Sequence, residues 1–308
     1  MFDKMKVSIT VGGGLGDALM VYLADPKHHC DLTQKFPTSN HIGSLWFRRL
    51  PNFKLHNPDV EVILIDATSN PATSEFFKEI PYIDEVKRVG WTAPKAEDVV
   101  YWNMPIEDYK GQASMVDAEH EYPPIHWVYD YRDYEPARQS LYLSDIERDI
   151  VEAWKLKKGI ACHPYAASPR DIMPLSKYAD FIDIAKKNGY AVSILPGIDD
   201  AVMLDNWEGI AHYKKVPIHL SVALVLGAMG FIGTHSAMVI PAWYAGVNNG
   251  ARSVVFTPLN EHFNRIQQEK SPVAFGFFED FCLNVPFLTG DSARLYNMAG
   301  AFNFLAGR

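Results

Sequence analysis

The sequence is poor in the features that mark several classes of protein. Only three of its 308 residues are cysteine, and none forms a Cys-x-x-Cys pair, which argues against a disulfide scaffold or a cysteine-based zinc site. No apolar run approaches the ~18–20 residues that a membrane-spanning helix needs. The first residues lead into a strand and not into a signal-peptide core. Together these absences predict a reducing, cytoplasmic location and no membrane span.

An excess of positive charge is also missing. Twenty-nine Lys and Arg residues stand against 37 Asp and Glu residues, a formal net charge of −8. This balance argues against a protein whose whole surface binds nucleic acid, although it leaves room for a local basic groove. With 48% hydrophobic and 21% charged residues, the composition is globular, and 308 residues suit two domains.

Short apolar runs alternate with helical patterns along the chain. Residues 6–11 read as a strand that ends in a glycine loop, and an apolar helix follows from residue 18. In the second half, strands are predicted at 159–163, 190–195, 229–232 and 252–256, with helices between them. This alternation predicts an α/β protein with parallel, doubly wound sheets.

Two Rossmann-like domains are therefore expected, over residues 1–156 and 157–308. The helix from Ser144 to Lys155, with Ser144 and Glu147 forming a capping box, is the candidate hinge. A helix at the C-terminus is expected either within the second domain or packed back on the first.

The glycine loop is the first candidate site. Gly12 to Gly16 allow a sharp turn and a close backbone approach to a ligand, with Gly14 and Gly16 nearest the helix start. The loop is a poor dinucleotide fingerprint, because Asp17 takes the place of the third glycine and the next strand ends at Asp66. Asp17 either complements the helix dipole or acts as a general base.

A second candidate site follows a strand of the second domain. It comprises Gly233, Thr234, His235 and Ser236, whose amides and hydroxyls could hold a diphosphate, with added charge or a hydrogen bond from His235. The alternative is ordinary capping of the next helix by Thr234 or Ser236.

The third candidate site is the loop from residue 164 to residue 171. Arg170 could neutralise a leaving diphosphate, and Ser168 supplies a hydroxyl; the alternative is an exposed Arg170–Asp171 pair. The sequence His28-His29-Cys30-Asp31 has metal-ligand residue types but no second cluster, so no metal site is expected.

Taken in chain order, the predicted strands, loops and helices resemble the heptosyltransferase-like family of GT-B glycosyltransferases, which is the family of ADP-heptose:LPS heptosyltransferases. Three segments carry the resemblance: Gly14-Leu15-Gly16-Asp17, residues 160–174 with Met173-Pro174-Leu175, and residues 218–246. The chain departs from the family turn, roughly D-T-G-P-x-H, because His235 replaces its acid and Ile240 its histidine.

The resemblance implies a GT-B enzyme that transfers a sugar from a nucleoside-diphosphate sugar with inversion and without a metal or other cofactor. The Asp17 carboxylate would be the base, beside an acceptor on the first domain. The donor diphosphate would lie on the second domain against residues 234–236 and Arg170. The departures leave the donor sugar open, and the acceptor is unknown.

Other functions remain open. The acceptor could be a modified DNA base, as in phage DNA glycosyltransferases, because the aromatic-rich first half could stack on a flipped base, although the net charge of −8 argues against it. A nucleotide-sugar epimerase shares the two-domain architecture. A non-catalytic nucleotide-sugar-binding protein would keep the fold and lose the chemistry.

Overall fold

A computed structural model of the chain describes residues 4–23, 46–68, 70–89, 122–137, 141–165, 173–195, 211–212, 217–258, 281–287 and 296–307. The chain divides into two compact units, Met1–Tyr142 and Leu143–Arg308. This division falls before the candidate hinge helix, whereas the sequence placed the boundary after residue 156. The helix is bonded to a neighbouring helix of the C-terminal unit and therefore belongs there.

The N-terminal unit is built on a parallel sheet. Strands β1 (Lys6–Gly13), β2 (Glu61–Thr68) and β3 (Glu85–Arg88) lie in the order β1-β2-β3. On the other flank of β1, the amide of Ser8 donates to the carbonyl of Pro123 at 2.9 Å, and Ser8 bridges to Pro124 in parallel. Since neighbouring backbone on both flanks pairs with β1, this strand lies inside the sheet.

Helices pack on this sheet through an aromatic cluster. They are α1 (Leu15–Leu23), α2 (Leu50–His56), α3 (Ala72–Lys78) and α4 (Ile125–Val128), followed by a 3₁₀ turn at Tyr131–Asp133. The ring of Tyr22 meets Phe47, Phe76 and Phe77 edge-on, with ring centroids 5.2–5.9 Å apart. The continuous burial of residues 62–66 in β2 is typical of a parallel sheet covered on both faces.

The C-terminal unit contains a six-stranded parallel sheet. Its strands are β4 (Ile160–His163), β5 (Val192–Ile194), β6 (Ala211–His212), β7 (Gly230–Thr234), β8 (Arg252–Pro258) and β9 (Cys282–Phe287). The order β6-β5-β4-β7-β8-β9 is that of the dinucleotide-binding Rossmann sheet, 3-2-1-4-5-6. The chain runs outward from β4 to β6, then returns and runs outward from β7 to β9.

The helices of this unit are α5 (Asp145–Leu156), α6 (Leu175–Lys187), α7 (Ile218–Leu226), α8 (Val239–Asn249) and α9 (Met298–Leu305). The indole of Trp154 on α5 donates to the carbonyl of Leu224 on α7 at 3.1 Å. The buried residues of α9, Met298, Ala301, Phe302 and Leu305, belong to the core that α6 shares with the sheet. The C-terminal helix therefore packs on the core of its own unit.

Helix ends test the sequence signals individually. The capping box of Ser144 and Glu147 is confirmed, because each side chain bonds to the backbone amide of the other. The helix α6 begins at Leu175 after Pro174, and Gly189, with φ of 80°, follows its end, as is common at helix C-termini. In the described residues, no helix is long and apolar enough to cross a membrane.

Candidate functional site

The carboxyl ends of β4 and β7 form the switch point of the C-terminal sheet. The chain leaves β4 toward one edge of the sheet and leaves β7 toward the other, while the two strands pair in register, with His163 opposite Gly233. In open α/β sheets, ligands bind in the crevice outside such a point, because the connections diverge there. The turn predicted from residues 233–236 therefore lies where this architecture places a ligand.

Gly233 permits an unusually close approach of the two strand ends. A Cβ built on Gly233 would lie 2.5 Å from the carbonyl oxygen of His163 and 2.8 Å from the ring of Phe231. Both distances are shorter than a Cβ tolerates, and one neighbour is backbone. The glycine is thus needed for strand packing, in addition to any close approach by a ligand.

Ser236 joins the two strand ends by a side-chain hydrogen bond. Its Oγ lies 2.9 Å from Nδ1 of His163, and it also accepts the amide N–H of Met238 at 3.3 Å. The His163 side chain is 8% exposed at the end of β4. The sequence analysis did not single out His163, because nothing near it in the chain reveals a partner 73 residues away.

Thr234 lies in the turn, but its hydroxyl is fully buried. Its Oγ1 donates to the carbonyl of Pro164 at 3.0 Å and lies 2.9 Å from the hydroxyl of Tyr178. The sequence analysis gave this hydroxyl a diphosphate or a capping role. In the structure, it instead fastens the loop after β4 to the end of β7, so Thr234 contributes to the site by positioning.

The rest of the turn is partly exposed. The amide of His235 donates to the carbonyl of Phe256 at 2.9 Å, which leaves the side chain as the part of this residue that could reach a ligand. The helix α8 begins at Val239, after residues 236–238 have turned away from the strand. Of the third candidate site, Ser168 and Arg170 lie outside the described residues.

The glycine loop follows the first strand of the N-terminal unit. The strand β1 pairs with β2 on one flank and with residues 123–124 on the other, so the loop lies at the carboxyl end of a strand with backbone on both flanks. Gly14 separates β1 from α1, and its carbonyl accepts the amide of Ala18 at 3.2 Å. Gly16 and Asp17 are the second and third residues of α1, so Asp17 lies in the first turn of this helix.

Beside the glycine loop, Asp66 lies at the centre of a buried hydrogen-bond network. From the sequence, this residue was predicted only to end a strand. Its carboxylate accepts the amide and hydroxyl of Thr68, at 2.9 and 2.6 Å, and the hydroxyl of Ser74. The guanidinium of Arg88 lies 3.3 Å from the same carboxylate. These bonds hold β2 extended to Thr68, where its register partner is Gly13.

Groups of three or more potential metal-ligating side chains were sought in the described part of the chain, and none was found there. Residues 28–31, whose side chains are of metal-ligand types, lie outside that part. Independence from a metal therefore stays a prediction.

Comparisons with known proteins identify relatives by structure only. No protein-family profile and no curated protein sequence matches this chain. A glycosyl transferase family 9 structure from Veillonella parvula DSM 2008 matches with a TM-score of 0.51 and 11% identity, covering 100% of this chain and 99% of the other. The E. coli ADP-heptose lps heptosyltransferase II matches with a TM-score of 0.51 and 11% identity, covering 98% of each chain.

At 11% identity, these matches establish a shared fold over the whole length of the chain. They agree with the two parallel α/β units and with the Rossmann strand order of the second unit. This chain has the GT-B fold, as its sequence predicted.

Proposed function

We propose that this chain is a glycosyltransferase that moves a sugar from a nucleoside-diphosphate sugar to a hydroxyl acceptor, with inversion at the anomeric carbon and without a metal ion. The observation that carries the proposal is the turn at Gly233–Ser236, which lies at the switch point of a Rossmann sheet within a GT-B fold. The two structures that share this fold over full length are named as a glycosyl transferase and a heptosyltransferase.

The proposed donor site is electrostatically suited to a diphosphate. The turn leads directly into α8, a helix of eleven residues, and the N-terminus of a helix carries a partial positive charge. The amides of Val239 and Ile240 already donate to the carbonyls of Ser236 and Ala237, so the proposed diphosphate would be held by this charge and by side chains. Ser236 and His235 are partly exposed on this turn and add a hydroxyl and an imidazole. In this proposal Arg170 supplies the full positive charge that a departing diphosphate needs when no metal is present.

The proposed base is Asp17. It follows the glycine-rich carboxyl end of β1, and it lies in the first turn of α1. Its carboxylate would take the proton of the acceptor hydroxyl as that oxygen forms a bond to the anomeric carbon. The bond from the anomeric carbon to the diphosphate oxygen breaks, and its electron pair leaves with the diphosphate.

Replacement of Asp17 by Asn tests the assigned base. We expect Asp17→Asn to bind the nucleoside-diphosphate sugar as the parent does and to turn it over at least ~100-fold more slowly, because an amide cannot accept the proton. Donor affinity is measured by calorimetry. Since the acceptor is unidentified, turnover is measured as release of nucleoside diphosphate, with water or a panel of acceptor alcohols.

Asp145→Asn is the matched control, because Asp145 is also a first-turn acid, on the exposed N-terminus of α5. It removes a helix-dipole interaction, about 0.3–1 kcal/mol, together with an exposed ion pair to Arg148 that contributes little, and it is expected to leave turnover unchanged. Unchanged turnover in Asp17→Asn would remove this residue from the mechanism. If the parent protein epimerises the donor without releasing nucleotide, it is an epimerase. If the parent binds the donor without any turnover, it is a non-catalytic protein.

A further inference from the structure

A chain of hydrogen bonds crosses the candidate donor turn, and the direction of one of them depends on where the imidazole of His163 carries its proton. The hydroxyl oxygen of Ser236 accepts the amide proton of Met238 at 3.3 Å and lies 2.9 Å from Nδ1 of His163. When Nδ1 carries no proton, it is an acceptor, and the single hydroxyl proton of Ser236 must point to it. In that state the hydroxyl proton is held inside the protein and is not available to a ligand.

When the neutral imidazole carries its proton on Nε2, protonation of Nδ1 reverses one of these bonds. Both nitrogens of an imidazolium are donors, so Nδ1–H donates to the oxygen of Ser236, which has lone pairs for both His163 and Met238. The hydroxyl proton then needs another acceptor. Ser236 is partly exposed on the turn that leads into α8, so an anion bound at this turn offers that acceptor.

We propose that His163 is a proton-linked positioning residue of the donor site: its imidazolium form directs the Ser236 hydroxyl toward the donor diphosphate, so that the donor binds together with a proton. The inference rests on the proposed function, because it assumes that a diphosphate lies at the turn of residues 233–236. By linkage, the donor must bind more weakly as the pH rises through the titration of this imidazole.

Among the described residues, two ionisable groups near His163 do not change charge in the pH range of an imidazole. Burial raises the pKa of the Cys162 thiol, on the same strand. Burial also raises the pKa of Tyr178, whose hydroxyl bonds to Thr234 beside the loop after β4. Both groups therefore stay protonated and neutral while an imidazole titrates, and the facing segments of β5 and β7 carry no ionisable side chain.

Three further ionisable groups lie near the site. Tyr165 lies edge-on to the imidazole, with ring centroids 6.1 Å apart. Lys177, on α6, donates to the carbonyl of Tyr296 at 3.3 Å. His235 is the second imidazole of the turn, so any experiment must separate its titration from that of His163.

The test is calorimetric titration of the full chain. ADP-glucose, UDP-glucose and GDP-mannose are compared first, and the affinity of the tightest binder is then measured from pH ~5.5 to pH ~8. Both phosphates of these donors are esterified, so they lack the ionisation near pH 6 of a terminal phosphate, which would otherwise mask the linkage. Buffers of different ionisation enthalpy count the protons taken up. Because imidazole ordinarily titrates near pH 6.5, we expect Kd to rise about fivefold or more across this range, with proton uptake on binding.

Three variants identify the group responsible. His163→Asn keeps a hydrogen-bonding atom near the Nδ1 position without a titratable charge, and we expect its Kd to be independent of pH. Ser236→Ala is expected to lose the same dependence, and it carries the test if His163→Asn does not fold. His235→Asn is expected to keep the dependence.

Donor binding that varies less than twofold over the range would overturn the inference and leave the donor site in place. A dependence that survives in His163→Asn, or is lost only in His235→Asn, would assign it to another group and overturn the role of His163. Persistence in Ser236→Ala would mean that the imidazolium charge acts directly and overturn the hydroxyl route. If none of the three donors binds at any pH, the proposed donor site fails, and the inference fails with it.

Discussion

At residue 233, the space between two strands admits a hydrogen atom and nothing larger. The carbonyl of His163 would lie 2.5 Å from a Cβ at this position, and carbonyl groups within a sheet cannot move without breaking the ladder. The same backbone carries His163 and leads to Ser236. Gly233 is therefore needed for strand packing, and it also begins the turn that is proposed to bind the donor.

Gly233→Ala is expected to lower the free energy of unfolding by about 1–3 kcal/mol and to weaken donor binding, because the strand ends must separate. Urea denaturation and calorimetry measure the two effects. Gly300→Ala is the control, since Gly300 lies in α9 and a Cβ there meets nothing within 4 Å. Alanine favours helices, so this control is expected to be neutral or stabilising by up to ~1 kcal/mol. A neutral Gly233→Ala would contradict the packing described here.

The residues of the candidate sites were predictable to different degrees. Gly233 and Ser236 form a local pattern after a strand, so sequence alone located their turn. His163 and Asp66 were not recognised, since their meaning depends on partners brought close by the fold: Ser236 for one, and Arg88 and Ser74 for the other. Thr234 was recognised, but its burial, and hence its bonds to Pro164 and Tyr178, were not predictable from the sequence.

Among the elements, α5 is fixed to the C-terminal unit by a side-chain bond near its N-terminus. Glu147 accepts the amide and hydroxyl of Ser144 at 2.8 and 2.9 Å, and its other oxygen lies 2.8 Å from Nε2 of His219 on α7. Burial raises the pKa of Glu147, but the bonds from Ser144 and the interaction with His219 outweigh it, so the pKa lies below the ordinary value of 4.5. The ionised carboxylate therefore stabilises the folded state.

The sign of this shift gives a pH dependence. A carboxylate whose pKa is lower in the folded state stabilises the protein fully above its unfolded pKa of 4.5, and the contribution is lost as the pH falls through the folded pKa. Glu147→Gln is therefore expected to be less stable than the parent at neutral pH. The difference should shrink in acid, as measured by urea denaturation at a series of pH values.

Glu152→Gln is the matched control on the same helix. Glu152 is exposed and pairs with Lys155 at 2.7 Å, so its loss should cost no more than ~1 kcal/mol at neutral pH. If the free energies of unfolding of the parent and of Glu147→Gln differed by the same amount at every pH, the ionised form of Glu147 would not be the stabilising one.

Sequence patterns located most strands and fewer helix ends. Buried strands such as β2 and β7 are short apolar runs, which are distinctive. The strand β9 was missed because Asn284 and Pro286 interrupt its pattern; a proline is tolerated there because β9 lies at the edge of the sheet. Ser236 was one of two predicted caps of the next helix, but α8 begins only at Val239 and Ser236 bonds across to His163.

For the whole molecule, the informative feature is that both proposed sites lie at the carboxyl ends of strands in parallel sheets. The strand β1 leads to the loop with Asp17, and β4 and β7 lead to the turn with Ser236. Alternation of strands and helices was enough to predict this topology from sequence, because right-handed crossovers leave few alternatives. The identity of the donor is not encoded in topology, since one fold serves many substrates.

The central claim is that the turn at residues 233–236 binds a nucleoside diphosphate without a metal. Thermal denaturation of the full chain tests this claim most directly. It is carried out with nucleoside diphosphates and with nucleoside-diphosphate sugars, each with and without EDTA. A ligand at ~100 times its Kd adds about 2.7 kcal/mol, so we predict a rise in Tm on the order of 5–10 °C for donors of one base, unchanged by EDTA. Absence of a shift with every nucleotide, or a shift that EDTA abolishes, would contradict the account.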